Sequence, residues 1–98
     1  MSLDRVYNDV ISWANDRNLI KGSNSRAQFI KLAEEMGELA ADLAKGRDVK
    51  DSVGDMMVVL TILARQEGYT LQECYQQAYT EIQHRKGKMV DGVFVKEE

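Results

Sequence analysis

The sequence predicts an all-α fold: an antiparallel helical bundle of about four helices, completed by oligomerisation. Three observations carry that expectation. The chain contains no proline and is rich in Ala, Leu, Met, Glu, Lys and Gln, residues that lose little on entering a helix. Four stretches repeat apolar residues at helical spacing, separated by short glycine-bearing breaks. With 98 residues, 44% of them hydrophobic and 30% charged, the chain fits one domain, 1–98. A domain of that size buries only about two-thirds of its unfolded surface alone, so a partner subunit would add to its stability.

The first helix is expected from Leu3 to Asn18, because Leu3, Val6, Tyr7, Val10, Ile11 and Ala14 keep the i, i+3, i+4, i+7 spacing of an amphipathic helix. Ser2 is placed to cap it, and Asp4 suits its first turn. Trp13 lies near its end, beside Asn15-Asp16-Arg17-Asn18. It reads either as the edge of the core or as an aromatic platform on which a nucleobase stacks.

Gly22, Ser23 and Asn24 mark a loop. Ser25 with Gln28 three residues later has the form of a capping box and opens a second helix, which runs to about Lys45 with Gly46 as its C-terminal stop. Phe29, Leu32, Ala33, Met36, Leu39, Ala40 and Leu43 form its apolar face. Lys31, Glu35, Glu38 and Asp42 form a separate stripe beside that face. Acidic stripes are common as solvated helix faces. The spacing of Glu35 and Glu38 also sets their Cβ atoms about 5–6 Å apart, close enough for the carboxylates to share a cation. Gly37 between them costs about 1 kcal/mol of helix propensity against Ala, which points to a backbone or ligand approaching closely.

The third helix is expected to start with Asp48 as its cap and to run to about Glu67, ahead of Gly68. From Met56 to Ala64 it is apolar except for Thr61, and a helix apolar on all sides is buried on all sides. In so small a domain, this implies a second subunit around it. Asp55 stands at the mouth of the apolar run, about two turns in and beyond the reach of the helix dipole. A carboxylate heading for a core needs a partner, either a Lys or Arg or a metal ion shared with the second helix. Asp51 and Ser52 add oxygen ligands on the same face.

Thr70 and Glu73 form a further capping box, opening a fourth helix through Leu71, Cys74, Tyr75, Ala78 and Ile82 and ending near Gly87. The basic run His84-Arg85-Lys86-Gly87-Lys88 complements the helix C-terminus or contacts phosphate. Residues 88–98 read as a short arm or turn. Asp91-Gly92 would make a hairpin, or the arm would lie extended over a neighbouring subunit.

The formal charge of −3 argues against nucleic-acid binding. The single cysteine, Cys74, leaves no intrachain disulfide. No signal-peptide pattern and no apolar run of about 20 residues stand in the sequence. The expectation is a cytoplasmic protein without a membrane partner.

The order E-E-x-G-E in Glu34 to Glu38, a short loop, then D-x-x-G-D in Asp51 to Asp55 leading into an apolar helix, resembles the MazG-type all-α nucleoside triphosphate pyrophosphohydrolases. It is most similar to their short phage and bacterial forms. The likeness extends from the Trp13–Arg17 region to Arg85-Lys86-Gly87-Lys88, Gly92 and Lys96. It implies hydrolysis of an NTP or dNTP to monophosphate and pyrophosphate by a homo-oligomer, dimer or tetramer, using Mg²⁺ or Mn²⁺ in its place. It also implies an E-x-x-E pair at Glu35 and Glu38, the aspartate of an E-x-x-D pair at Asp55, and Glu34 or Glu35 as the base. Ser52 stands where the family has its second-pair glutamate, and Asp51 is the carboxylate nearest in sequence to replace it. Lys31, Arg85, Lys86 and Lys88 would meet phosphates, and Trp13 and Asn15 the base or sugar. The alternative is a catalytically weak or inactive helical dimerisation or regulatory module on the same scaffold.

Overall fold

A computed structural model describes residues 1–97 as four helices followed by a two-stranded hairpin. Helix α1 spans Leu3–Asp16, and the Ser2 side chain accepts the Arg5 N–H at its start. The helix ends two residues earlier than expected. Asn18 adopts φ 55°, and the Leu19 N–H turns back to the Ala14 carbonyl, closing the last turn.

Helix α2 spans Ser25–Ala44, and its cap is Asn24, not Ser25. Asn24 Oδ1 accepts the Ala27 N–H at 2.9 Å, while Gln28 donates to the Ser23 hydroxyl at 3.1 Å. The expected box is therefore shifted by one residue, and the Ser25 hydroxyl is freed to donate to Glu67. Gly46 follows the helix at φ +66°, as its stop position requires.

Helix α3 spans Lys50–Gln66. Asp48 accepts the Lys50 N–H at 2.9 Å, but Val49 occupies the cap position. The bonds Ser25 to Glu67 and Ser52 to Asp42 tie opposite ends of α2 and α3 together, so the two helices form an antiparallel pair. Helix α4, Leu71–Ile82, opens on the expected box: Glu73 N–H donates to Thr70 Oγ1 and Thr70 N–H to Glu73 Oε1, both at 3.1 Å.

Helix α4 stops five residues short of Gly87, which lies instead in strand β1, Gly87–Val90, paired antiparallel with β2, Val93–Lys96. The fold is thus mostly helical with a small sheet, not purely α. Asp91 and Gly92 make the two-residue turn at φ 50° and 81°, the left-handed pair that matches strand twist. Gly87 admits no side chain, because a Cβ there would run into the Val95 carbonyl and the Phe94 ring.

Helix α3 is the centre of the molecule. Helices α1, α2 and α4 each pack against it, and among the described residues α2 meets no other helix or strand. Gln66 donates to the carbonyls of Leu19 and Ile20, fixing the end of α3 to the loop after α1. Gln72 donates to Asp4, fixing the start of α4 to the start of α1. The apolar core is small: Ala14, Val59, Ile62 and Ala64. Burial of α3 on all sides is not reached within one chain, since Val53 and Met57 stay exposed. Among the described residues, no helix is long and apolar enough to cross a membrane.

Candidate metal centre

The antiparallel register of α2 and α3 brings Glu35 and Glu38 opposite Asp55. One carboxylate oxygen from each lies within 4.8 Å of the others. Glu35 is buried, Asp55 half-buried and Glu38 exposed, so the cluster opens outward from the helix pair. Lys31, one turn before Glu35, reaches Glu35 Oε1 at 3.3 Å and Glu34 at 3.6 Å. Glu35 Oε2 is buried with no hydrogen-bond partner. A buried carboxylate oxygen without a donor is costly, and a cation held between the three carboxylates would satisfy it.

The electrostatics follow from this crowding. The charge of Glu35 beside it holds the Glu38 carboxyl above its ordinary pKa. Burial raises Asp55, with Asp51 and Glu35 adding repulsion. Glu35 and Glu34 hold the Lys31 ammonium above its ordinary value. Because Glu38 and Asp55 bind protons more tightly folded than unfolded, the repulsion at Glu38 and the burial of Asp55 cost stability above their raised pKa values. That cost disappears as pH falls through them. In metal-free buffer the melting temperature of the native chain, measured against Glu38→Gln, is therefore expected to fall as pH rises from mildly acid to neutral. A relative rise would contradict this placement.

Two grooves meet at the cluster. A cleft of ≈ 550 Å³ is lined by Trp13, Lys31, Glu35 and Asp55, with Asp9 and the valines of α1 and α3. A larger apolar groove of ≈ 730 Å³ runs between α1, α3 and α4, with Asp51 and Asp55 along its wall. Val6, Val10, Asp55 and Val58 border both. Volumes of this size suit a small-molecule ligand.

Of the residues expected at the site, Glu35, Glu38, Asp55, Lys31 and Trp13 come together. The others are placed elsewhere. Glu34 is exposed and pairs only with Lys31, because one step along a helix turns a side chain by about 100°. Asp51 lies one turn below Asp55 against the α1/α4 groove, outside the carboxylate cluster. Ser52 is buried and donates to Asp42, which Arg47 also holds at 3.0 Å. Asn15 is exposed at the end of α1 and lines neither groove. Arg85 and Lys86 are exposed between α4 and the hairpin, Lys88 is exposed within β1, and none of the three lines either groove. The Arg17 guanidinium stands 4.6 Å from the centre of the Trp13 ring and donates to the Trp13 carbonyl at 3.1 Å, so one ring face is already covered.

Two residues with a part here were not anticipated. Asp9 lines the cleft, and its place one turn before Trp13 on the same helix was the available signal. The engagement of Asp42 by Ser52 was foreshadowed only by its position in the acidic stripe.

No family profile matches the chain, and no solved structure matches it. An uncharacterized 18.2 kDa protein in the rep-hol intergenic region of Haemophilus phage HP1 is 47% identical over 66 residues, covering 65% of this chain. The chain spans 40% of the length of that relative.

Proposed function

We propose that the chain is a MazG-type nucleotide pyrophosphohydrolase that uses Mg²⁺ to hydrolyse an NTP or dNTP to monophosphate and pyrophosphate. The observation that carries this reading is the Glu35, Glu38, Asp55 cluster with its unpartnered buried Glu35 oxygen, beside a cleft of nucleotide size. The donor set is all carboxylate, which suits a hard cation that retains water and takes its remaining ligands from phosphate. Glu35, Glu38 and Asp55 would hold it. Bound Mg²⁺ supplies charge neutralisation on the triphosphate and lowers the pKa of coordinated water.

In the reaction, a water oxygen bonds to the α-phosphorus and the bridging oxygen leaves with pyrophosphate. Of the two candidate bases Glu35 is the one at the cleft, whereas Glu34 faces solvent; with Oε2 turned to the cation, Oε1, which Lys31 holds at 3.3 Å, would take the proton from water. Lys31 lines the cleft and offers its ammonium to phosphate oxygens. Trp13, with one face covered by Arg17, borders the same cleft and offers apolar surface to base or sugar. Arg85, Lys86 and Lys88 would meet phosphate from another subunit, the working form being a cytoplasmic homo-oligomer.

The test is incubation with each common NTP and dNTP plus Mg²⁺, with nucleotide and phosphate products measured. Monophosphate and pyrophosphate in equal amounts are expected. No turnover with Mg²⁺ or Mn²⁺ would overturn the reading, and so would release of orthophosphate as the first product. One observation favours a second reading, an inactive scaffold module: Ser52 supplies no carboxylate to the cluster and is engaged with Asp42.

A further inference from the structure

We infer that the β1/β2 hairpin of one copy seats in the apolar groove between α1, α3 and α4 of a second copy, the two copies exchanging hairpins about a two-fold axis. The inference rests on the homo-oligomer proposed above and names the contact through which another subunit's cations reach the site. Its test reads cross-links and no hydrolysis, so the two ideas fail separately.

The hairpin stands free of the helices. Neither strand packs against a helix among the described residues, and two strands alone are marginally stable in water. The register sets Met89 beside Phe94 on one face, and Val90 beside Val93 and Lys88 beside Val95 on the other, so both faces are mainly apolar. Met89 is 64% exposed and Val93 63%, one on each face, so neither face is covered. A ribbon apolar on both faces needs cover on both, which a groove supplies and a flat surface does not.

The groove has the matching shape and charge. Helices α1 and α4 both pack on α3 and are bridged at their starts by the Gln72 to Asp4 bond, so they form two walls over an α3 floor. Leu3 on one wall and Tyr75 on the other are each 73% exposed. Along α3 the floor runs from Asp51 to Thr61, about 15 Å, and a four-residue strand covers about 13 Å. Asp48, Asp51 and Asp55 gather at the start of that floor against the single cation of Lys50. At the open end of the hairpin, Arg85, Lys86, Lys88 and Lys96 outnumber the acids of the tail. Opposite charge therefore sets one orientation, with the open end over Asp51 and Asp55 and the Asp91-Gly92 turn toward Thr61. Asp55 also borders the nucleotide cleft, so the seated hairpin brings its cations to the edge of that cleft.

One chain leaves both halves of this contact open. The α4 wall is the start of that helix, through Tyr75, whereas the hairpin follows its end at Ile82, about 10 Å further along. A second copy presents the same two halves, and reciprocal exchange covers both at once. The area is sufficient. A compact monomer of 11.1 kDa exposes about 5,650 Å², whereas this chain exposes 7838 Å². The excess, about 2,200 Å², is well above the roughly 800 Å² that each partner buries in an ordinary stable complex.

With the photoreactive residue benzoylphenylalanine in place of Phe94, illumination of the full chain at micromolar concentration is expected to give a covalent dimer. In a mixture of chains labelled with light and heavy nitrogen, the joined peptides should pair light with heavy and should link position 94 to residues 3–10 of α1, 57–61 of α3 or 71–75 of α4. Asp51→Lys should lower the dimer yield about fivefold or more, and Lys88→Asp in the same chain should restore it, with helical circular dichroism retained in both. If Asp51→Lys unfolds, the map of attachment sites decides. Attachment only within one chain would overturn the exchange, since the hairpin would then fold back onto its own groove. Attachment to α2, or no covalent dimer, would overturn it as well.

Discussion

Glu38→Gln is expected to reduce nucleotide hydrolysis by on the order of 10²–10³-fold while leaving the metal-free protein more stable than the native chain at neutral pH. The two effects have one cause. Glu38 is exposed, one turn along α2 from the buried Glu35, and their mutual repulsion holds its carboxyl above the ordinary range. The amide keeps the shape and removes the charge, so the folded state loses an unfavourable interaction at any pH where the native residue is ionised. The same charge is one of three that would bind the cation. Mg²⁺ should therefore raise the melting temperature of the native chain and leave that of Glu38→Gln unchanged, since a ligand stabilises only the state that binds it. Thermal melts with and without Mg²⁺ check this. If the variant melts lower without metal, the repulsion is not what the geometry indicates. An equal Mg²⁺ shift in both proteins would remove Glu38 from the site.

The sequence was most legible where a local rule decides the structure. Helical periodicity gave α1, α2 and α3 to within two residues at the ends. Thr70 and Glu73 formed their box as spaced, and Asp91-Gly92 made its turn, because these depend on contacts three or fewer residues apart. Two adjacent residues able to cap α2 left the choice to the loop, where the contact between Gln28 and Ser23 accompanies Asn24 as the cap. The basic stretch before Gly87 has the character of a helix end, and only pairing with residues 93–96 makes the residues after it, 87–90, a strand. At the site, spacing distinguished the inward Glu35 only once α3 defined which way is inward. It did not separate Asp51 from Asp55: four residues apart, they lie near one helix face and share the groove along α1 and α4, and only Asp55 also borders the cleft with Glu35.

Ser52→Glu is expected to destabilise the chain by about 2–4 kcal/mol, from added volume and an added buried charge, and not to build a fourth metal ligand. By sequence alone, position 52 is one turn before Asp55 and invites a carboxylate. In the structure it is 5% exposed and its hydroxyl donates to Asp42, whose other oxygen takes Arg47 Nε at 3.0 Å. A glutamate there would lose the donor, crowd the slot between α2 and α3, and set two carboxylates against each other where Arg47 offers one cation. Asp42→Ser in the Ser52→Glu background, which moves the charge across the helix pair, should recover part of the loss by freeing space and Arg47. Denaturant melts of the two single variants and the double variant measure the coupling between the positions. Strictly additive losses would mean that Ser52 and Asp42 act independently. A Ser52→Glu protein as stable as the native chain, with stronger Mg²⁺ stabilisation, would show that the slot accepts the carboxylate and that the buried bond to Asp42 is dispensable.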